Sequence, residues 1–235
     1  MGISAKRVFV VFLTLSAWIS LTVYADDACT GEATVREATG DAIQSFIADR
    51  QVDVLTFEGY SGSEYEDPAA MLKHALRILD AHDPAKILVN IGATEVGIGA
   101  VYEIAKQKGF TTMGIVSTLA RDQDATLSSC VDYVFFVPDS TWGGQVSGTN
   151  ELSPTSRAIV EASTSFVAIG GGDVAKDELL AARAAGKSVT FIPADMKHAK
   201  ARAKARKKNR PEPTDFRGSA NRALLDGGGL PNFTR

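Results

Sequence analysis

The sequence predicts a doubly wound, mostly parallel α/β sheet with helices on both faces. Three observations carry that reading. Apolar runs of strand length alternate with amphipathic helical stretches through residues 51–195. Glycines recur where a run ends and a helix begins, at Gly59, at Gly92 and Gly97, and at Gly170, Gly171 and Gly172. The clearest unit is residues 166–185, F-V-A-I-G-G-G-D-V-A-K-D-E-L-L-A-A-R-A-A, with a new apolar run at 189–192. A strand, a glycine turn, a helix and a second strand form the unit from which parallel sheets are built.

Taken in order, residues 1–25 read as a signal peptide. Lys6 and Arg7 form a basic start, residues 8–23 are nearly uncharged and apolar, and Val23-Tyr24-Ala25 fits a small-residue cleavage site. The alternative is a retained anchor over residues 8–23, which is slightly short for a span. Cleavage would make the protein secreted or periplasmic. Residues 26–50 form an N-terminal segment, polar and loosely ordered to Thr39, with a short helix expected at 41–48. Strands follow at 52–57, 86–91, 112–116 and 132–137. Asp67 and Pro68 open a helix whose apolar side carries Met71, Leu72, Ala75, Leu76, Ile78 and Leu79. A second helix runs to Lys108 and stops at Gly109. Residues 138–154 are rich in Gly, Ser and Thr around Trp142, and are expected to be a functional flap or a disordered insert. Ser153-Pro154 starts a helix through Ala162 that carries Arg157. Residues 196–235 hold a basic helix and a tail with three glycines at 227–229. The whole pattern is Rossmann-like, and open sheets of this kind place ligands beyond the carboxyl ends of their strands.

Charge divides the chain. Residues 26–196 hold 12 Lys/Arg and 25 Asp/Glu, a formal −13, while residues 197–210 hold eight Lys/Arg and no acid. Such a run can bind nucleic acid, anionic lipid or anionic polymer. Without aromatic stacking residues nucleic acid is disfavoured, and the reading preferred is a solvated helix lying over the acidic body of its own chain or of a second subunit. Membrane contact is expected only through an uncleaved N-terminus. Cys29 and Cys130 could pair in an oxidising compartment, or remain one exposed and one buried thiol. His74, His82 and His198 are scattered, so no metal site is expected, and no cofactor is called for.

The glycine loops mark the candidate site. Gly59 and Ser61 follow one strand, Gly92, Thr94 and Gly97 the next, and Gly170, Gly171, Gly172 and Asp173 open a helix. A helix N-terminus bared by glycines suits an anion such as a phosphate.

These segments, in this order over residues 52–193, resemble the Lonely Guy family, phosphoribohydrolases acting on cytokinin riboside 5'-monophosphates, also known as lysine-decarboxylase-like proteins. They also resemble the wider nucleotide-binding superfamily that includes the DNA-processing protein Smf. Residues 57–69 are similar to the family's opening strand and loop, and Gly97-Ile98-Gly99-Ala100-Val101 to its G-L-M-G-A-V segment. Met113-Gly114-Ile115-Val116 is similar to the strand that follows, the Arg157 helix to its M-x-x-R-K helix, and residues 171–178 to G-G-x-G-T-x-x-E. The resemblance implies a nucleotide-like small-molecule ligand, a homodimer, and a catalytic pair. Glu178 would stabilise positive charge on the ribose as the N-glycosidic bond breaks, and Arg157 would orient the substrate. Val174-Ala175 replace the family's Gly-Thr and Ala158 its Lys. Those departures leave room for a binding or sensing module without turnover.

Overall fold

The computed structural model describes residue 29 and residues 31–226; the expected signal peptide and the triple-glycine tail lie outside them. Seven strands form one sheet: β1 (Thr34–Glu37), β2 (Asp53–Gly59), β3 (Ile87–Ile91), β4 (Thr111–Ser117), β5 (Tyr133–Val137), β6 (Ser165–Ile169) and β7 (Ser188–Ile192). Their order across the sheet is β1-β5-β4-β3-β2-β6-β7, and every pairing is parallel. Central strands of such a sheet are covered on both faces, which is why residues 54–57 of β2 are all buried despite alternating sides.

On one face lie α1 (Gly40–Ala48), α5 (Pro154–Ala162) and α6 (Asp173–Ala184), packing Ile43, Phe46, Ile159 and Leu179 against Val54 and Phe166. On the other lie α2 (Pro68–Leu79), α3 (Val101–Gln107) and α4 (Thr118–Asp122), packing Met71, Leu79, Tyr102 and Ala120 against Phe57 and Ile91. Asp67 caps α2 through a 2.9 Å bond to the Ala70 N–H, as its position before Pro68 predicts. Beyond β7 come α7 (His198–Lys207), which buries no residue, and α8 (Ser219–Asn221), prolonged by a wider turn, Arg222–Asp226. Among the described residues no helix is long and apolar enough to cross a membrane.

At the N-terminus one expectation changes and one open alternative is decided. Residues 34–37 are not loose: they form edge strand β1 beside β5. All four are exposed, so no apolar alternation betrays them. Cys29 is joined to Cys130 by a disulfide, closing a separation of 101 residues. In the chain-entropy account a loop of that length stabilises the fold by about 4–5 kcal/mol.

Candidate ligand-binding site

The sheet order sets where a ligand can enter. From β2 the chain winds one way through β3, β4 and β5, then returns to lay β6 on the other side of β2. The connections leaving β2 and β6 therefore diverge, and a crevice opens beyond their carboxyl ends. A chamber of about 400 Å³ occupies this position.

Two carboxyl groups face each other in it. Glu58, near the end of β2, pairs in register with Ala168 of β6. Glu178 sits on the sheet-facing side of α6, with only 1% of its surface exposed. Their carboxyls hydrogen-bond each other, and the Ser156 hydroxyl donates to Glu178 Oε1. Burial, the charge of Glu178 and the bond to it push Glu58 well above the usual carboxylate range. Burial also raises Glu178, the nearby Asp177 charge adds to this, and bonds from Glu58 and Ser156 work against it. Both carboxyls are thus held above the ordinary range, so the pair takes up a proton more readily than two free carboxylates.

The remaining wall has two characters. Phe57, Ile91, Ile98, Ile115, Val116 and Ile159 make it apolar. Thr155, in the first turn of α5, is 4% exposed and its hydroxyl has no partner among the described residues, although it lines the chamber. A buried hydroxyl without a partner is costly unless a ligand or water supplies one. Helix α6 opens at the same wall without a side-chain cap, so its first-turn N–H groups lack intrahelical acceptors.

Residues 138–154, expected to be a functional flap or a disordered insert, are ordered and pinned to α5 and α6. Asp139 accepts from the N–H groups of Thr155 (3.0 Å) and Thr141 (2.8 Å). Burial alone would raise the Asp139 carboxyl, but these bonds outweigh it and hold it below its ordinary value. The Gly144 N–H donates to Ser156 Oγ at 2.6 Å and the Gln145 N–H to Asp177 at 2.9 Å. Trp142, 55% exposed, is thereby fixed at the chamber mouth.

Of the residues singled out in the sequence, Gly59, Ser61, Gly92, Thr94, Gly172, Asp173 and Glu178 line the chamber. Gly97, Gly170 and Gly171 do not. Gly97 and Gly170 both have positive φ, and a Cβ there would lie 2.1 Å from the Tyr60 carbonyl and 2.5 Å from the Tyr60 ring respectively. They make room for Tyr60 rather than for a ligand. A Cβ on Gly172, by contrast, would meet nothing within 4 Å, so this backbone borders open space. Arg157 is not brought to Glu178. Thr155, Ser156, Ile159 and Val160 take the buried face of α5, which turns Arg157 outward to Leu152 O (3.5 Å) and Glu151 (4.0 Å).

The sequence reading missed Glu58, Ser156, Thr155 and Tyr60. Glu58 left one signal, an acid closing an apolar strand that must be central. Ser156 left none, since a serine in a first helical turn is ordinary. Among the described residues no group of three or more His, Cys, Asp or Glu is placed to hold a metal.

No protein-family model matches the chain, and no curated protein does. Solved structures with a similar chain path include the molybdenum cofactor binding protein of Rippkaea orientalis, at 17% identity over 67% of this chain and 85% of that one, TM-score 0.46. The molybdenum cofactor carrier protein of Chlamydomonas reinhardtii matches at 20% identity over 60% and 76%, TM-score 0.43. DNA processing protein A of Streptococcus pneumoniae matches at 12% identity over 74% and 62%, TM-score 0.42. These are likenesses of fold over part of each chain, and the functional reading rests on the chamber itself.

Proposed function

We propose that the chamber binds a nucleoside phosphate and hydrolyses its N-glycosidic bond. The observation that carries this is the placing of two carboxyls, Glu58 and the buried Glu178, together in an apolar chamber. Breaking the bond needs a proton for the leaving base nitrogen and a negative charge beside the ribosyl cation, and one pair supplies both. Glu58 gives its proton as the C1'–N bond breaks and the bonding electrons pass to the base. The remaining charge of the pair, centred on Glu178, stabilises C1'. Water then adds its oxygen to C1' and returns a proton to the pair, leaving free base and ribose phosphate. Ser156 holds Glu178 in place, and the free Thr155 hydroxyl meets a ligand oxygen.

Export is part of the reading. The Cys29–Cys130 bridge supports it, because structural disulfides persist in oxidising compartments. A second reading, binding without turnover, is favoured by the outward Arg157 and by Val174-Ala175 at the start of α6.

The two separate in one assay. The full chain is incubated with nucleoside mono-, di- and triphosphates and ADP-ribose, following free base by chromatography and binding by thermal shift. Base release is expected, falling about 10²–10⁴-fold in Glu178→Gln and Glu58→Gln. Stabilisation with no release would leave a binding module, and release unchanged in both variants would remove the carboxyl pair from the mechanism.

A further inference from the structure

Just outside the chamber a second concavity of about 990 Å³ runs between α7 and the segment 210–222. Tyr60, Ser61, Ser63, Trp142, Gly172 and Asp173 line both spaces, so chamber and groove form one continuous cleft. Lys200, Lys204, Lys208, Arg210, Arg217 and Arg222 line the groove against two acids, Asp173 and Asp215, a formal +4 in a body that is otherwise acidic.

The basic residues are arranged, not merely abundant. Lys200, Lys204 and Lys208 recur every four positions, which puts them on one side of α7 along about 12 Å of helix. Like charges at this spacing oppose helix formation. Lys197, just before α7, meets Glu64 at 3.2 Å, and Arg202 and Arg206 meet Glu212 at 3.8 and 2.5 Å, while Lys207 does not line the groove. Lys200 also pairs with Glu64. Lys204, Lys208 and Arg210 have no acid within 4.0 Å among the described residues. The opposite wall is built rather than draped, since the Gly218 N–H donates to Tyr60 Oη at 2.7 Å and Met196 N–H to Phe216 O at 3.0 Å.

The chamber lacks what the groove has. Asp173 stands at the start of α6, and Lys176 is turned to Asp177 at 3.0 Å. Among the described residues no Lys or Arg lines the chamber, and the cations of the same cleft lie along the groove. The structure assigns the groove to a run of linked phosphates: the ligand's nucleoside end enters the chamber and its di- or triphosphate lies along Lys204, Lys208 and Arg210. A single phosphate is too short to span the three positions. The assignment extends the chamber reading, while the groove's own affinity for linked phosphates does not depend on it.

Calorimetric titration of the full chain with inorganic tripolyphosphate tests it, beside orthophosphate, AMP, ATP and phosphatidylglycerol vesicles. Tripolyphosphate is expected to bind at least tenfold more tightly than orthophosphate. That affinity should fall at least tenfold in Lys204→Ala/Lys208→Ala/Arg210→Ala and persist in Lys73→Ala/Lys86→Ala, which removes two exposed lysines elsewhere. It should also persist in Glu178→Gln, which separates failure of the groove from failure of the chamber. ATP should bind more tightly than AMP, with the gap closing in the triple variant. Equal binding of both inorganic anions, an unaffected triple variant with its unfolding midpoint intact, or binding to vesicles alone would each overturn the assignment. Tripolyphosphate binding with no preference for ATP over AMP would overturn the link between groove and chamber.

Discussion

The chamber floor and the groove wall are neighbours, yet opposite physics holds them. The floor rests on residues with almost no exposure: Val54 and Leu179 at 0%, Phe57 and Phe166 at 1%. Its charges sit in that apolar setting, where isolated carboxylates are costly, and the pair eases the conflict by taking up a proton more readily. The wall rests on α7, which buries nothing and is fastened by exposed ion pairs and by Arg202 over the Phe216 ring at 5.2 Å. Its charges stay solvated, so they cost little to maintain and remain available to an anion. The proposed function places bond chemistry at the floor and capture of charge at the wall, in keeping with this difference.

The widest separation between the two should appear on truncating the core. Phe166→Ala is expected to lower unfolding free energy by about 3–5 kcal/mol, because a fully packed ring leaves a cavity between β2, β6 and α6. Urea unfolding measures it, and a loss under about 1 kcal/mol would mean the floor is not the stabilising centre.

A smaller effect should sharpen the account of the carboxyl pair. Glu58 binds its proton more tightly folded than unfolded, so protonation favours the fold. That contribution is complete below the ordinary carboxylate pKa, near 4.3, and is lost as pH rises to the raised folded value, at about 1.4 kcal/mol for each unit between them. Glu58→Gln keeps a donor for Glu178 without titrating. Its unfolding free energy should therefore fall less than wild type as pH rises from 5 to 8. Identical pH slopes would show that the pair does not hold a proton.

Much of this architecture could be read from the chain, and the failures have physical causes. The five strands β2 to β6 announced themselves because parallel strands covered on both faces are nearly continuous in apolar residues, and the edge strand β7 showed through Val189, Phe191 and Ile192. Thr34–Glu37 could not, because an edge strand exposed on both faces carries no pattern. Glu178, expected from the family resemblance six residues past Gly172, lines the chamber. Arg157 was expected beside it from order along the chain, and order does not say which side of a helix faces inward. Gly97 and Gly170 were assigned to a ligand, yet Tyr60 is what they accommodate, 37 and 110 positions away in the chain. Such close approaches between distant segments leave no local signature. Residues 138–154 looked loose for the same reason, since the groups that pin them, Ser156 and Asp177, belong to helices further along.

The gentlest test addresses the wall. Glu212→Gln removes the partner of Arg202 and Arg206 but no apolar contact. Exposed pairs of this kind contribute about 0.2–1 kcal/mol, so global unfolding should barely change. What should change is local: limited trypsin digestion within residues 197–210 is expected to quicken severalfold in dilute buffer. Wild type should approach the variant's rate in 1 M salt, where the screening length falls to about 3 Å. If salt leaves wild-type digestion unchanged, α7 is fastened by its contact with Phe216, on which His198 stacks at 3.9 Å, rather than by its ion pairs. The wall would then resemble the floor more than its sequence suggests, and tripolyphosphate would bind a preformed groove instead of replacing repulsion between Lys200, Lys204 and Lys208.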